Sequence, residues 1–121
     1  MIRFLHGLLG ALVLVCKEPA TTFSMLSVYA FTELQAITGH IEGTLKKTFN
    51  YDKINYLMLM MVDPEVHYHV IPRYSEDKVF NGVIFKDSGW DGLPDLSISN
   101  TVPDDIFYEL RDYASSILNE L

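Results

Sequence analysis

Cysteine is almost absent from this chain. Cys16 is the only one in 121 residues, so no intrachain disulfide can form and no CxxC redox or zinc motif exists. That usage fits a reducing cytoplasm. Basic residues are also scarce, with nine Lys and Arg against 16 Asp and Glu and a formal charge of −7. Long nucleic acid binds through a basic face that displaces counterions, so a nucleic acid polymer is not an expected partner. A mononucleotide remains open, because a few local donors can hold its phosphate. No apolar run approaches the ~20 residues that span a bilayer, so no membrane partner is expected. The run from Leu8 to Val15, with Arg3 ahead of it and Cys16 behind, mimics a secretory signal. Gly10 interrupts the run, and Val15 is not the small residue that should precede a lipoprotein cysteine. A buried strand is the expected reading.

What is present is apolar. Hydrophobic residues make up 49% and aromatics 12% of the chain, which excludes disorder and supports a packed core. The length predicts one domain over residues 1–121. Residues 11–17 (A-L-V-L-V-C-K) read as a strand buried on both faces. Ser27 is a candidate N-cap for a helix whose apolar stripe is Phe31, Leu34, Ile37, Ile41 and Leu45. Gly39 and Gly43 lie off that stripe and leave room for another element to approach. Lys46 and Lys47 complement the dipole at the helix end.

Residues 53–61 (K-I-N-Y-L-M-L-M-M) read as a strand in which Met58, Met60 and Met61 pack. Asp63-Pro64 reads as a tight turn that sends the next strand back as a hairpin. Residues 80–86 (F-N-G-V-I-F-K) read as one further strand, and 87–100 as a long loop anchored by Trp90. Pro103, Asp104 and Asp105 suit the first turn of a final helix, with Ile106, Leu110, Tyr113, Ile117 and Leu121 as its stripe. The expected architecture is α+β, a small antiparallel sheet with two helices.

The stretch 62–74 (V-D-P-E-V-H-Y-H-V-I-P-R-Y) is hard to explain by packing. As a strand it places Glu65, His67 and His69 on one face, with the two imidazoles roughly 6.6 Å apart along it. Imidazole, with an ordinary pKa of ~6.5, serves as nucleophile, base or cation near neutral pH. It also forms and breaks N–P bonds readily. His67 is the candidate nucleophile toward a phosphate, and His69 the candidate to stabilise phosphoryl charge. Glu65 is the candidate to orient a ring nitrogen, and Arg73 to grip phosphate with a bidentate fork. Arg73, Asn55 and Lys17 are the candidate substrate-binding residues. A metal site on Glu65, His67 and His69 is the rival reading. Three ligands on a straight strand span about 13 Å, too far for one ion. His6 and His40 have no evident partner and read as structural or exposed.

The segment K-I-N-Y-L-M-L-M-M-V-D-P-E-V-H-Y-H-V-I-P-R-Y resembles the core of the histidine-triad (HIT) superfamily of nucleotide hydrolases and transferases. That family alternates three histidines with apolar residues and often runs into I-P-R. Its second and third histidines match His67 and His69, while its first falls on Glu65, where some branches carry glutamine. The L-V-L-V-C-K strand, the following helix and G-W-D-G-L-P-D-L are similar to one bacterial branch. The resemblance implies a homodimeric α+β fold without a cofactor, binding a nucleotide or nucleotide conjugate and passing through a nucleotidyl-histidine on His67. It further implies that the Gly-Asn pair usual before the motif is replaced by Met60-Met61. It also implies that the family's first strands are missing ahead of Arg3. A catalytically degenerate nucleotide-binding or regulatory module is the alternative the same departures imply.

Overall fold

The computed structural model describes the backbone of residues 2–4 and all of residues 8–97. The expected final helix from Pro103 onward lies outside the described residues, as does His6. Strand β1 (Ile2–Phe4), which the sequence reading did not anticipate, pairs antiparallel with β2 (Leu12–Val15). Gly10 makes the turn between them possible. It sits at φ +76°, and a Cβ there would lie 2.9 Å from the Phe49 ring. A 3₁₀ turn (Phe23–Met25) then leads into α1 (Val28–Phe49). As expected, Ser27 caps α1, its hydroxyl accepting from the Ala30 N–H. Glu18 accepts from both the N–H and the hydroxyl of Ser27. Asn50, in the left-handed region, closes the other end with its N–H on the Lys46 carbonyl.

The remaining strands are β3 (Lys53–Leu57), β4 (His67–Arg73), β5 (Lys78–Phe80) and β6 (Val83–Phe85). The main sheet runs β1-β2-β4-β3, antiparallel throughout. The anticipated hairpin of β3 with β4 is present, from Lys53 opposite Arg73 to Leu57 opposite His69. Its strands are shorter than expected. Residues 58–66 form a connection, so Met58, Met60 and Met61 lie outside any strand. Residues 80–86 are not one strand either. Asn81 and Gly82 both take positive φ and fold the segment into a two-residue hairpin of β5 with β6, which is what an Asn-Gly pair favours.

One face of the main sheet packs on α1. Leu12, Leu14 and Val70 share a core with Ile41, Leu45 and Phe49 of the helix and with Phe85 of β6. Val13 and Val15, on the other face of β2, are only half-buried. The strand is therefore not sealed on both sides as its composition implied. No helix among the described residues is long and apolar enough to cross a membrane.

Among the described residues, nothing makes a close approach at Gly39 or Gly43. No described group lies within 4 Å of where their Cβ atoms would stand. Both are helix-interior glycines with open space at the Cβ position among the described residues, so Gly39→Ala and Gly43→Ala should each stabilise the fold by about 0.5–1 kcal/mol. Ile41→Ala, which empties a fully buried position, should cost about 2–5 kcal/mol. Urea unfolding of the three variants measures both signs.

Candidate functional site

β4 is the central strand, and alternation along it divides its side chains. Tyr68, Val70 and Pro72 turn toward the helix, while His67, His69, Ile71 and Arg73 occupy the reverse face. Across the sheet, His67 sits opposite Val15, and His69 lies between Val13 and Leu57. Asn55 is opposite Ile71 on that same face.

His67 is 6% exposed. Its Nδ1 lies 2.8 Å from the main-chain carbonyl of Glu65. A carbonyl only accepts, so Nδ1 carries a proton, and it is Nε2 that holds the lone pair in the neutral ring. The His69 ring centroid is 5.5 Å away in an edge-on arrangement. Burial, and next the neighbouring His67, lower the pKa of His69, while Asp63 pulls it the other way.

Two sequence expectations change here. Glu65 precedes β4 instead of sharing its face, and its side chain is exposed. The group that orients His67 is the Glu65 carbonyl, not its carboxylate. The carboxylate felt at His69 belongs to Asp63, which was read only as part of a turn. Glu65, His67 and His69 do not converge, and no cluster of three His, Cys, Asp or Glu among the described residues could hold a metal ion.

Arg73 is buried, and its fork is already engaged. Nε and Nη2 donate to the two Asp87 oxygens at 2.7 and 3.0 Å, and Nη1 donates to Asn55 Oδ1 at 2.7 Å and to the Gly92 carbonyl at 2.8 Å. Asp87 also accepts from the Tyr74 N–H. Burial raises the Asp87 pKa, but the hydrogen bonds from Arg73 and Tyr74 outweigh it and hold the carboxyl below its usual range. Arg73 and Asn55, expected to bind substrate, thus form a knot that ties the 87–92 loop to the sheet. Lys17 is exposed and lines a cavity on the helix side. Neither that cavity, of 330 Å³, nor a second one of 380 Å³ is lined by His67 or His69.

No protein-family model and no curated protein matches the chain. Solved structures do. A histidine triad protein from Sinorhizobium meliloti 1021 superposes with TM-score 0.66 at 24% identity, over 92% of this chain and 74% of that one. A hypothetical histidine triad nucleotide-binding protein from Sulfolobus tokodaii strain 7 gives TM-score 0.67 at 14% identity, over 96% and 74%. A histidine triad protein from Marinobacter aquaeolei VT8 gives 0.63 at 18%, over 92% and 75%.

Folding lowers the His69 pKa, so the unfolded chain binds that proton more readily than the native state. Stability therefore falls as pH drops through the ordinary imidazole range near ~6.5. Asp63→Asn should lower the His69 pKa further, and Glu65→Gln should leave it in place, as read by proton NMR of the imidazole. Removing the Asp87 carboxylate strands a buried guanidinium, so Asp87→Ala should cost about 3–5 kcal/mol. It should also abolish the part of acid unfolding that the wild type shows below about pH 3.9, as followed by circular dichroism across pH.

The α-helix packed on a β1-β2-β4-β3 antiparallel sheet, with its histidine pair on the central strand, is the histidine triad fold.

Proposed function

We propose that this chain is a nucleotide-binding hydrolase or nucleotidyl transferase acting on the α-phosphate of nucleotide conjugates or dinucleoside polyphosphates. The observation that carries the reading is the histidine pair on one sheet face, with the hydrogen bond at Nδ1 making Nε2 the lone-pair nitrogen of the neutral His67 ring. The Sulfolobus tokodaii neighbour, described as nucleotide-binding, supports nucleotide as the ligand class.

In this mechanism His67 Nε2 attacks the α-phosphorus, the bond to the leaving group breaks, and a nucleotidyl-histidine forms. Water then attacks the same phosphorus, releasing the nucleoside monophosphate and freeing His67. In transfer, another acceptor replaces the water. The lowered pKa of His69 favours its neutral form, which still has a ring N–H to donate to a phosphoryl oxygen as charge develops. The Glu65 carbonyl fixes the tautomer of the nucleophile. The two imidazoles supply nucleophile and charge stabilisation without a cofactor. On the same reading the enzyme works in the cytoplasm as a homodimer. The exposed apolar side chains of Phe23, Met25, Val28 and Tyr29 support a second copy docking near the start of α1.

A second reading, a nucleotide-binding module without turnover, is favoured by the engaged fork of Arg73 and by exposed Met61 and Val62 before the histidine strand. Incubation with adenylyl conjugates separates the two. Turnover and a trapped nucleotidyl adduct are expected in the wild type, with turnover lower by about a thousandfold or more in His67→Ala. Glu65→Ala keeps the carbonyl and should stay within a few-fold of wild type. Calorimetric binding with neither turnover nor adduct would establish the second reading, and absence of binding would reject both.

A further inference from the structure

The two imidazoles stand among apolar side chains. Across the sheet His69 has Val13 on one side and Leu57 on the other, and His67 has Val15. The connection of residues 58–66 leaves β3 after Leu57 and enters β4 at His67, so it borders both rings. Its Met58 and Met60 pack with Val66 and Tyr68 in the helix-side cluster. Leu59, Met61 and Val62 stay exposed, at 47, 83 and 94%. Apolar side chains grouped in water beside a nucleophile mark a surface that an apolar ligand covers.

Charge on this face points the same way. Among its described side chains the cations are Lys53 and Arg73, which stand opposite one another at the far end of the β3–β4 pair, about 13 Å along from His69. Arg73 is already paired with Asp87. Nearer the rings the charges are acidic. Asp63 pulls on the His69 pKa, and Glu65 is exposed two residues before His67. A lone α-phosphate brings one negative charge, which the His69 N–H can meet. Each further phosphate brings another toward Asp63, with no described cation near it. Resting on the hydrolase or transferase reading above, we infer that the leaving group is uncharged and apolar, seated against Leu59, Met61 and Val62, which select it. The substrate class is a nucleoside 5′-phosphate esterified to an apolar alcohol or phenol. As His67 Nε2 bonds to phosphorus, the P–O bond to that group breaks. Its electron pair stays on the departing oxygen, which takes a proton from solvent. Water then displaces His67 and returns a proton to solvent, so the net reaction adds water across the P–O bond.

The test is steady-state kinetics with the 4-isopropylphenyl and 4-carboxyphenyl esters of adenosine 5′-phosphate and with diadenosine triphosphate. The isopropylphenyl ester should show a kcat/KM about tenfold or more above the other two, the range of discrimination that apolar contacts give. The carboxyphenyl group is the better leaving group, so intrinsic reactivity works against that order. Met61→Lys/Val62→Lys changes two exposed residues and should narrow or invert the gap, chiefly by raising kcat/KM for the carboxyphenyl ester. The wild-type comparison holds whether or not that variant folds. Equal or better turnover of the carboxyphenyl ester or of diadenosine triphosphate, or an unchanged ratio in a folded variant, would overturn the inference and leave the hydrolase reading standing. No turnover of any of the three would overturn both.

Discussion

β4 is paired along both edges, and the rest of the structure depends on that pairing. With β2 on one side and β3 on the other, β4 cannot slip by one residue without turning every side chain to the opposite face. Such a slip would drive the histidines into the helix-packed core and bring Val70 out of it. Burial of Val70 and Ile71 on opposite faces makes that exchange expensive, so the histidine pair is held in place by packing elsewhere on its own strand. Pro72 fits this scheme despite its missing N–H. Pairing with β2 stops at Val70, so at Pro72 β4 has a single neighbour, where a lost donor is tolerated.

The far end of β4 is fixed by different physics. A buried guanidinium is stable only when its donors are met, and Arg73 finds its acceptors on β3 and on the loop after β6. The loop after β6 is thereby tied to the already paired strands β3 and β4. The residues that form this knot lie on the same face as the histidines, so it closes one end of the site while the 58–66 connection flanks the other.

These two ends differ in how much of them was legible in the sequence. The helix, its Ser27 cap and the β3–β4 hairpin followed from local periodicity and capping chemistry, which act within a few residues. The histidine pair followed from the period of two. Arg73 was visible as a phosphate-gripping residue only because its partners are distant. Asp87 is 14 residues away and Gly92 is 19, and no local pattern announces them. The hairpin at Asn81-Gly82 is a different kind of miss, because its signal stood in the sequence and was passed over for an apolar run. The half-buried outer face of β2 was hidden because composition reports how apolar a strand is, not how many layers cover it.

Glu65 shows why the first position of the motif was misread. Counting by twos puts it in line with the histidines, but β4 begins only at His67. The irregular, bent backbone of residues 61–66 leaves the Glu65 side chain exposed and its carbonyl facing the ring. The ring meets a main-chain carbonyl at that position, and any residue with the same backbone conformation offers the same acceptor. The acceptor at position 65 is thus independent of the side chain, whereas on the sheet face the groups presented at positions 67 and 69 are the imidazoles themselves.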